Sequence, residues 1–221
     1  MPTIVITGAS RGIGAELARL YARGGGRVIG GARGGGRPQN GVDLRALDVA
    51  DGASVEAFAA SLASEAVDLL INNAGVMGPS TSSTLAGMDF DGFAETLAIN
   101  TLGPLRVTQA LLPALRRAGG AKVAIISSQM GGSDYPGSHD VAYQASKAAV
   151  NKVAIALARD LKPEGVAVAT LHPGWVRTDM GGAGADIDPA DSAAGIKQVL
   201  DRLDLGSTGR FWNWDGSERG W

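Results

Sequence analysis

Along this chain, short runs that are apolar throughout alternate with longer stretches in which apolar residues return every three or four positions. Ile4-Val5-Ile6, Leu69-Leu70-Ile71 and Val123-Ala124-Ile125-Ile126 lack the every-other-residue alternation of a sheet with one wet face, so they predict parallel strands covered on both sides. Strands are expected at about 3–7, 27–31, 44–47, 68–72, 121–127, 166–171 and 209–213. Helices are expected near 12–24, 52–65, 89–117, 141–162 and 189–203, with breaks inside the third. This β-α-β alternation predicts an α/β fold: one doubly wound parallel sheet of about seven strands with helices on both faces. Right-handed crossovers bring all the strand C-termini to one edge, where ligands collect at the reversal of strand order.

Punctuation along the chain adds turns but no domain boundary. Gly24-Gly25-Gly26 and Gly34-Gly35-Gly36 each bound a short strand rather than separate two cores, so residues 1–221 are read as a single domain. Pro113 lies within a helical pattern, where its missing N–H predicts a kink. The stretch 179–188, Asp-Met-Gly-Gly-Ala-Gly-Ala-Asp-Ile-Asp, has no periodicity; a mobile flap beside a pocket and an ordinary surface loop both fit it.

Charge and composition narrow the chemistry. A net charge of −2 and a pI near 5.7 supply no basic field for nucleic acid or an anionic membrane. No apolar run approaches a bilayer span, and the first strand begins at Thr3, so the expectation is a cytoplasmic protein without a signal peptide. Zero cysteines exclude disulfides and thiol catalysis, and His139 and His172 are too few and too far apart for a zinc site, so no metal is expected.

The candidate chemistry begins where the first strand turns into the first helix. Thr7-Gly8-Ala9-Ser10-Arg11-Gly12-Ile13-Gly14 sets three glycines where a tight turn, a close backbone approach and a helix seat are needed, and the N–H groups at the helix start suit a dinucleotide pyrophosphate. An acidic residue about 20 positions on would grip a ribose hydroxyl, as in NAD-binding chains. Here no Asp or Glu occurs between Glu16 and Asp43, and the second strand ends Gly30-Gly31-Ala32-Arg33. Arg11 and Arg33 can clamp a 2′-phosphate by charge-assisted hydrogen bonds, which favours NADP(H) over NAD(H). A solvated loop arginine and a helix-start surface residue would look the same.

Further on come Asn72-Asn73-Ala74-Gly75, Asn100, Ser128, Tyr143-Gln144-Ala145-Ser146-Lys147 and Pro173-Gly174-Trp175-Val176-Arg177-Thr178. With the glycine turn, the order and spacing of these motifs resemble the short-chain dehydrogenase/reductase family, over nearly the whole chain, which implies a Rossmann-type fold. The resemblance implies that Gly8, Ser10, Arg11, Gly12, Ile13, Gly14, Arg33, Asn73, Ala74, Gly75, Tyr143, Lys147, Pro173, Gly174, Val176 and Thr178 bind the cofactor. Asp48-Val49 resembles the family pair that contacts adenine, Asp48 at the amine and Val49 at the ring face; Asp48 also fits an N-cap of the helix near Asp51.

The resemblance further implies a catalytic set of Asn100, Ser128, Tyr143 and Lys147. Tyr143 and Lys147, four apart on a helix, share one face. A free phenol has a pKa of roughly 10, and a nearby ammonium is expected to lower it so that Tyr143 can pass a proton to a carbonyl oxygen. Ser128 would hydrogen-bond that oxygen and Lys147 the nicotinamide ribose. Asn100 would hold a relay water; the other reading is a helix-kink residue satisfying its own backbone, and the two are compatible. Ser128 and Tyr143 lie 15 apart, wider than the usual family spacing, and Met130 stands at the usual offset. Neighbours in an extended segment point to opposite sides, so only one of Ser127 and Ser128 can face the cofactor. The step Ser128-Gln129-Met130-Gly131 matches the family and selects Ser128, with two extra residues in the loop 132–141.

The C-terminal run from Gly209 to Trp221 and the segment His172–Met180 resemble a compact subgroup that includes C-factor signalling proteins and sniffer-type carbonyl reductases. The subgroup implies an open pocket, for which Met130, Tyr135, Trp175 and Met180 are candidate walls. Trp212, Trp214 and Trp221 are expected to seal the core edge or an oligomer interface. The leading expectation is an NADPH-dependent carbonyl reductase, reversible as an alcohol dehydrogenase, acting on a small-molecule ketone, aldehyde or alcohol. An NAD(P)-binding signalling protein with little catalysis is the alternative, and a relative that isomerises or dehydrates its substrate is a third. The two long helices and an alanine-rich face allow a homodimer or tetramer, and a monomer equally.

Overall fold

The structure, a computed structural model, describes residues 1–37, 40–80 and 87–221. In chain order the elements are β1 (Thr3–Thr7), α1 (Gly12–Arg23), β2 (Arg27–Ala32), β3 (Val42–Ala46), α2 (Gly52–Ala60), β4 (Leu69–Asn72), α3 (Phe90–Leu97), α4 (Gly103–Arg117), β5 (Lys122–Ile126), α5 (Val141–Leu161), β6 (Ala167–His172), α6 (Pro189–Arg202), β7 (Arg210–Asn213) and β8 (Glu218–Arg219). They form one sheet of order β3-β2-β1-β4-β5-β6-β7-β8, parallel up to β7, with β8 antiparallel beside it. Against the expected seven strands, the eighth is a two-residue return of the chain. It covers the edge that β7 would otherwise leave open.

The unbroken apolar runs find their reason in two cores, one on each face of the sheet. In β1, Val5 faces a core built with Val107, Leu111 and Leu115 of α4 and Val150 and Ala154 of α5, while Ile4 and Ile6 face Leu17 and Ala18 of α1 and Ile196 and Val199 of α6. Alternation is present, but both faces are dry, so Ile4, Val5 and Ile6 are all apolar. The order of strands reverses between β1 and β4. The crevice at their C-terminal ends therefore holds Gly8 to Gly14 on one side and Asn73 to Gly75 on the other.

The long helix expected over 89–117 is three pieces. α3 ends at Leu97, a single π-helical turn spans Ala98–Leu102, and α4 follows. Pro104 supplies a cause: four residues after Asn100, it has no N–H to give the Asn100 carbonyl. Pro113, by contrast, sits in an uninterrupted α4. The helix expected over 52–65 ends at Ala60 and continues as turns, with Leu62 N–H donating to the Ala59 carbonyl and Ala63 N–H to Ala60. Residues 179–188 form a stitched loop: Arg177 N–H donates to the Ile187 carbonyl at 2.8 Å, Ile187 N–H to Trp175 at 3.1 Å, and Gly182 N–H to Thr178 at 2.8 Å. Among the described residues, no helix is long and apolar enough to cross a membrane.

Candidate active site

The glycine turn is lashed to its neighbours by backbone and by one asparagine. Gly8 and Ala9 N–H groups both donate to the Gly31 carbonyl at the end of β2, at 2.8 and 3.2 Å. Asn73 Nδ2 donates to the carbonyls of Thr7 and Gly8 at 3.0 and 3.1 Å, while Thr7 Oγ1 accepts the N–H groups of Asn73 and Ala74 at 3.0 Å each. Gly8 has φ +68°, and a Cβ there would lie 2.9 Å from the Ala74 Cα; a Cβ on Gly14 would lie 2.3 Å from the Gly8 carbonyl oxygen. Arg11, at the N-cap of α1, makes no side-chain cap bond, and no acidic residue stands in the first turn. The helix start thus offers uncapped N–H groups to an anion.

Across the crevice, Gly75 leaves a hollow that any side chain would fill: a Cβ there would lie 3.2 Å from Asn100 Oδ1 and 3.7 Å from Lys147 Nζ. That space, beside the lysine and the glycine turn, fits the nicotinamide-ribose end of a dinucleotide. Asp48 spends one oxygen on the Ala50 N–H at 2.9 Å, and the N-cap of α2 is Asp51, not Asp48. Val49 is buried in the core, so close to Gly103 that a Cβ there would lie 2.9 Å from Val49 Cγ2. Ser10 and Arg33 are exposed, Ile13 is half-buried, and Pro173 and Gly174 turn the chain out of β6 toward buried Val176 and half-buried Thr178.

The four catalytic candidates converge. Tyr143 and Lys147 lie on the buried face of α5, with Lys147 Nζ 5.5 Å from the Tyr143 ring centroid and donating to the Ile126 carbonyl at 2.9 Å. Ser128 is buried beside them: its Oγ accepts the Met130 N–H at 3.1 Å, and its side chain is near enough to the Tyr143 phenol to act on its proton. Ser127 points the other way and donates to Asn151 Oδ1 at 2.5 Å, as the alternation of neighbours requires. Asn100 holds both backbone groups of Val76: its Oδ1 accepts the Val76 N–H at 2.9 Å and its Nδ2 donates to the Val76 carbonyl at 2.8 Å. A second donation, to Ser146 Oγ at 2.9 Å, continues from Ser146 to the Tyr143 carbonyl at 2.7 Å. Asn100 thus sits in the π turn, but its side chain braces Val76 and the tyrosine's helix and not its own backbone.

The electrostatics correct one expectation. Burial pushes the Tyr143 phenol up to about 12, opposed only by the nearby Ser128 side chain, while Lys147 is itself pushed down to about 8 by burial. The ammonium does not lower the phenol here, because removing both groups from water penalises both charged forms. Tyr143 is a protonated acid throughout the physiological range.

Sequence reasoning missed Thr7, Ser146, Asn151 and His172 as parts of this frame. Asn151 carried a signal, a polar residue inside the apolar stripe of α5; Ser146 carried none beyond its place between Tyr143 and Lys147. His172 Nδ1 accepts the Gln129 N–H at 3.3 Å, holding the turn that begins at Ser128. Burial, with Arg219 adding to it and Asp215 opposing, pushes His172 down to about 4. The unfolded imidazole, near 6.5, therefore takes a proton that the folded one refuses. Its contribution is complete above pH about 6.5 and is lost as pH falls toward 4, on the order of 3 kcal/mol. Denaturant melts from pH 7 to 4.5 are expected to show this slope, and His172→Gln to flatten it; equal slopes would count against the assignment.

Of the candidate pocket walls, Met130 and Tyr135 are half-buried, whereas Trp175 and Met180 are 52% and 46% exposed. The Trp175 indole is held by its Nε1–H on the Gly181 carbonyl at 2.9 Å. Trp212 and Trp214 pack against the core between α6 and β7, and Trp221 stacks on Phe211 at 5.4 Å.

A buried Ser-Tyr-Lys set facing a glycine-lined crevice at the switch point of a parallel sheet defines a nucleotide-dependent oxidoreductase of the Rossmann class. The sequence profile described as short chain dehydrogenase matches residues 2–186. This chain belongs to that family. It is 43% identical over 174 residues to the C-signal protein of Myxococcus xanthus, an alignment that covers 76% of this chain and all of that one. Among solved structures it is similar to the carbonyl reductase Sniffer of D. melanogaster (28% identity, TM-score 0.89, 100% of both chains). It is also similar to an NADPH-bound carbonyl reductase from chicken fatty liver (28% identity, TM-score 0.88, 100% of this chain and 99% of that one).

Proposed function

We propose that this protein is an NADPH-dependent carbonyl reductase, reversible as an alcohol dehydrogenase, with Asn100, Ser128, Tyr143 and Lys147 as its working set. The observation that carries the reading is the convergence of three buried side chains, Ser128, Tyr143 and Lys147, with the Lys147 Nζ 5.5 Å from the Tyr143 ring centroid. When bound, the reduced nicotinamide supplies the hydride. Tyr143, protonated, gives its phenolic proton to the developing alkoxide, and Ser128 orients the same oxygen. Lys147 and the Gly75 hollow receive the ribose, and Arg11 and Arg33 receive the 2′-phosphate. Thr178 and Val176 close the crevice over the cofactor, and Asp48 and Val49 flank the adenine. Trp175, Met180, Met130 and Tyr135 meet the organic body of the substrate on a surface more open than enclosed.

The test is loss of NADPH absorbance, and separately of NADH absorbance, against aldehydes, ketones, diketones and ketoesters. Oxidation of NADPH in preference to NADH by at least one class is the expected result. No turnover with any class, alongside intact NADPH binding, would move a second reading to the front. That reading, a cofactor-dependent signalling protein, is favoured by the 43% identity to the C-signal protein. The complete proton-transfer set weighs against it, because a sensor has no need of a buried phenol beside a serine and a lysine.

A further inference from the structure

Arg11 has two claims on it. Its Nη1 donates to Asp179 Oδ2 at 2.6 Å, across 168 positions of sequence, and the two side chains are 71% and 75% exposed. The contact joins the glycine turn to the loop after Thr178 on the open side of the crevice, and it has a neighbour: a Cβ on Gly12 would lie 3.3 Å from Thr178 Cγ2. Turn and loop therefore meet at adjacent residues on both strands of the crevice mouth.

The loop presents its carboxylate from a fixed base. Gly181 N–H donates to Thr178 Oγ1 at 3.2 Å, Gly182 N–H to the Thr178 carbonyl at 2.8 Å, and Arg177 is held by Asp188 at 2.8 Å and by the Ala185 carbonyl at 2.7 Å. Ala185 is buried beneath it. A carboxylate held this way occupies the guanidinium edge that a phosphate would use, and it repels a dianion brought to the same edge. Arg33, by contrast, is exposed and makes no ion pair among the described residues.

From this we infer that Asp179 is a specificity-determining residue: it competes with the 2′-phosphate of the cofactor for Arg11 and so sets how strongly NADPH is preferred over NADH. The inference rests on the reading of Arg11 as a 2′-phosphate ligand. Exchange of one anion for the other is easy, because an exposed ion pair is weak and screened by salt. The carboxylate therefore attenuates the preference without abolishing it.

Calorimetric titration of wild type, Asp179→Asn, Asp179→Glu and Arg11→Ala with adenosine 2′,5′-bisphosphate and with 5′-AMP separates the possibilities. Asp179→Asn is expected to bind the bisphosphate roughly two- to fivefold more tightly at low salt, with 5′-AMP unchanged and the gain shrinking as salt is raised. Asp179→Glu is expected to stay near wild type. An unchanged or weakened bisphosphate affinity in Asp179→Asn, or an equal gain for both ligands, would overturn the role of Asp179 alone. Should Arg11→Ala bind the bisphosphate as well as wild type does, the phosphate reading of Arg11 itself falls, and this inference with it.

Discussion

Tyr143→Phe is expected to lower carbonyl reduction by about two to four orders of magnitude while leaving NADPH affinity within a few-fold of wild type. The substitution removes one oxygen from a ring buried in α5 and preserves the packing, so the fold is retained. What is lost is the phenol beside Ser128 and Lys147, and the residues that line the glycine turn and the Gly75 hollow are untouched. Steady-state turnover alongside fluorescence titration of NADPH reads the two effects separately. A variant that keeps more than about a tenth of wild-type turnover would sink the assignment of Tyr143 as the acid. One that loses cofactor affinity in proportion would show that the hydroxyl binds rather than reacts. Ser128→Ala is expected to cost less, because the proton donor remains and the developing alkoxide loses one of its two hydrogen-bond partners.

The second large effect is expected at Gly14. A methyl group there would lie 2.3 Å from the Gly8 carbonyl oxygen and 2.4 Å from Asn73 Nδ2, the two partners of a hydrogen bond that ties the turn to β4. Neither is the free end of a flexible chain: one is backbone, the other is pinned to Thr7 as well. Gly14→Ala must therefore part the turn from Asn73, at a cost of about 1–3 kcal/mol for the overpacking and roughly 1 kcal/mol more for the broken bond. Nucleotide binding should fall beyond detection by fluorescence, and the denaturation midpoint should drop. Gly52→Ala is the control. Nothing lies within 4 Å of its would-be methyl at the start of α2, and the change should be neutral or stabilising by up to about 1 kcal/mol. Equal effects at the two positions would show that the glycine turn tolerates side chains and is not shaped for a ligand.

Much of this molecule was legible before any coordinates. Apolar runs such as Ile4-Val5-Ile6 placed the strands to within a residue or two, because a strand buried on both faces leaves no room for polar residues. The four-residue step from Tyr143 to Lys147 put both on one helical face, and alternation required Ser127 and Ser128 to point to opposite sides, although it took the family's Ser-x-x-Gly step to choose between them. The π turn at Asn100 was half legible: the break inside the third helix was expected, and Pro104 four residues on is its cause, yet the proline went unread. β8 was not legible, since two residues carry no period and form a strand only because β7 offers an edge.

What the sequence by itself determined is everything that follows from local periodicity and from motifs read along the chain: the α/β class, the glycine turn, the family and the candidates for the reacting groups. Only the tertiary structure decided the states those groups are in. The phenol sits near 12 instead of below 10, Lys147 near 8, and His172 near 4, because desolvation depends on which distant segments cover a side chain. Arg11 meets Asp179 for the same reason. Their separation of 168 residues is closed by the sheet's reversal at β1 and β4, which gathers every strand end on one edge and sets side by side charges that no local pattern connects.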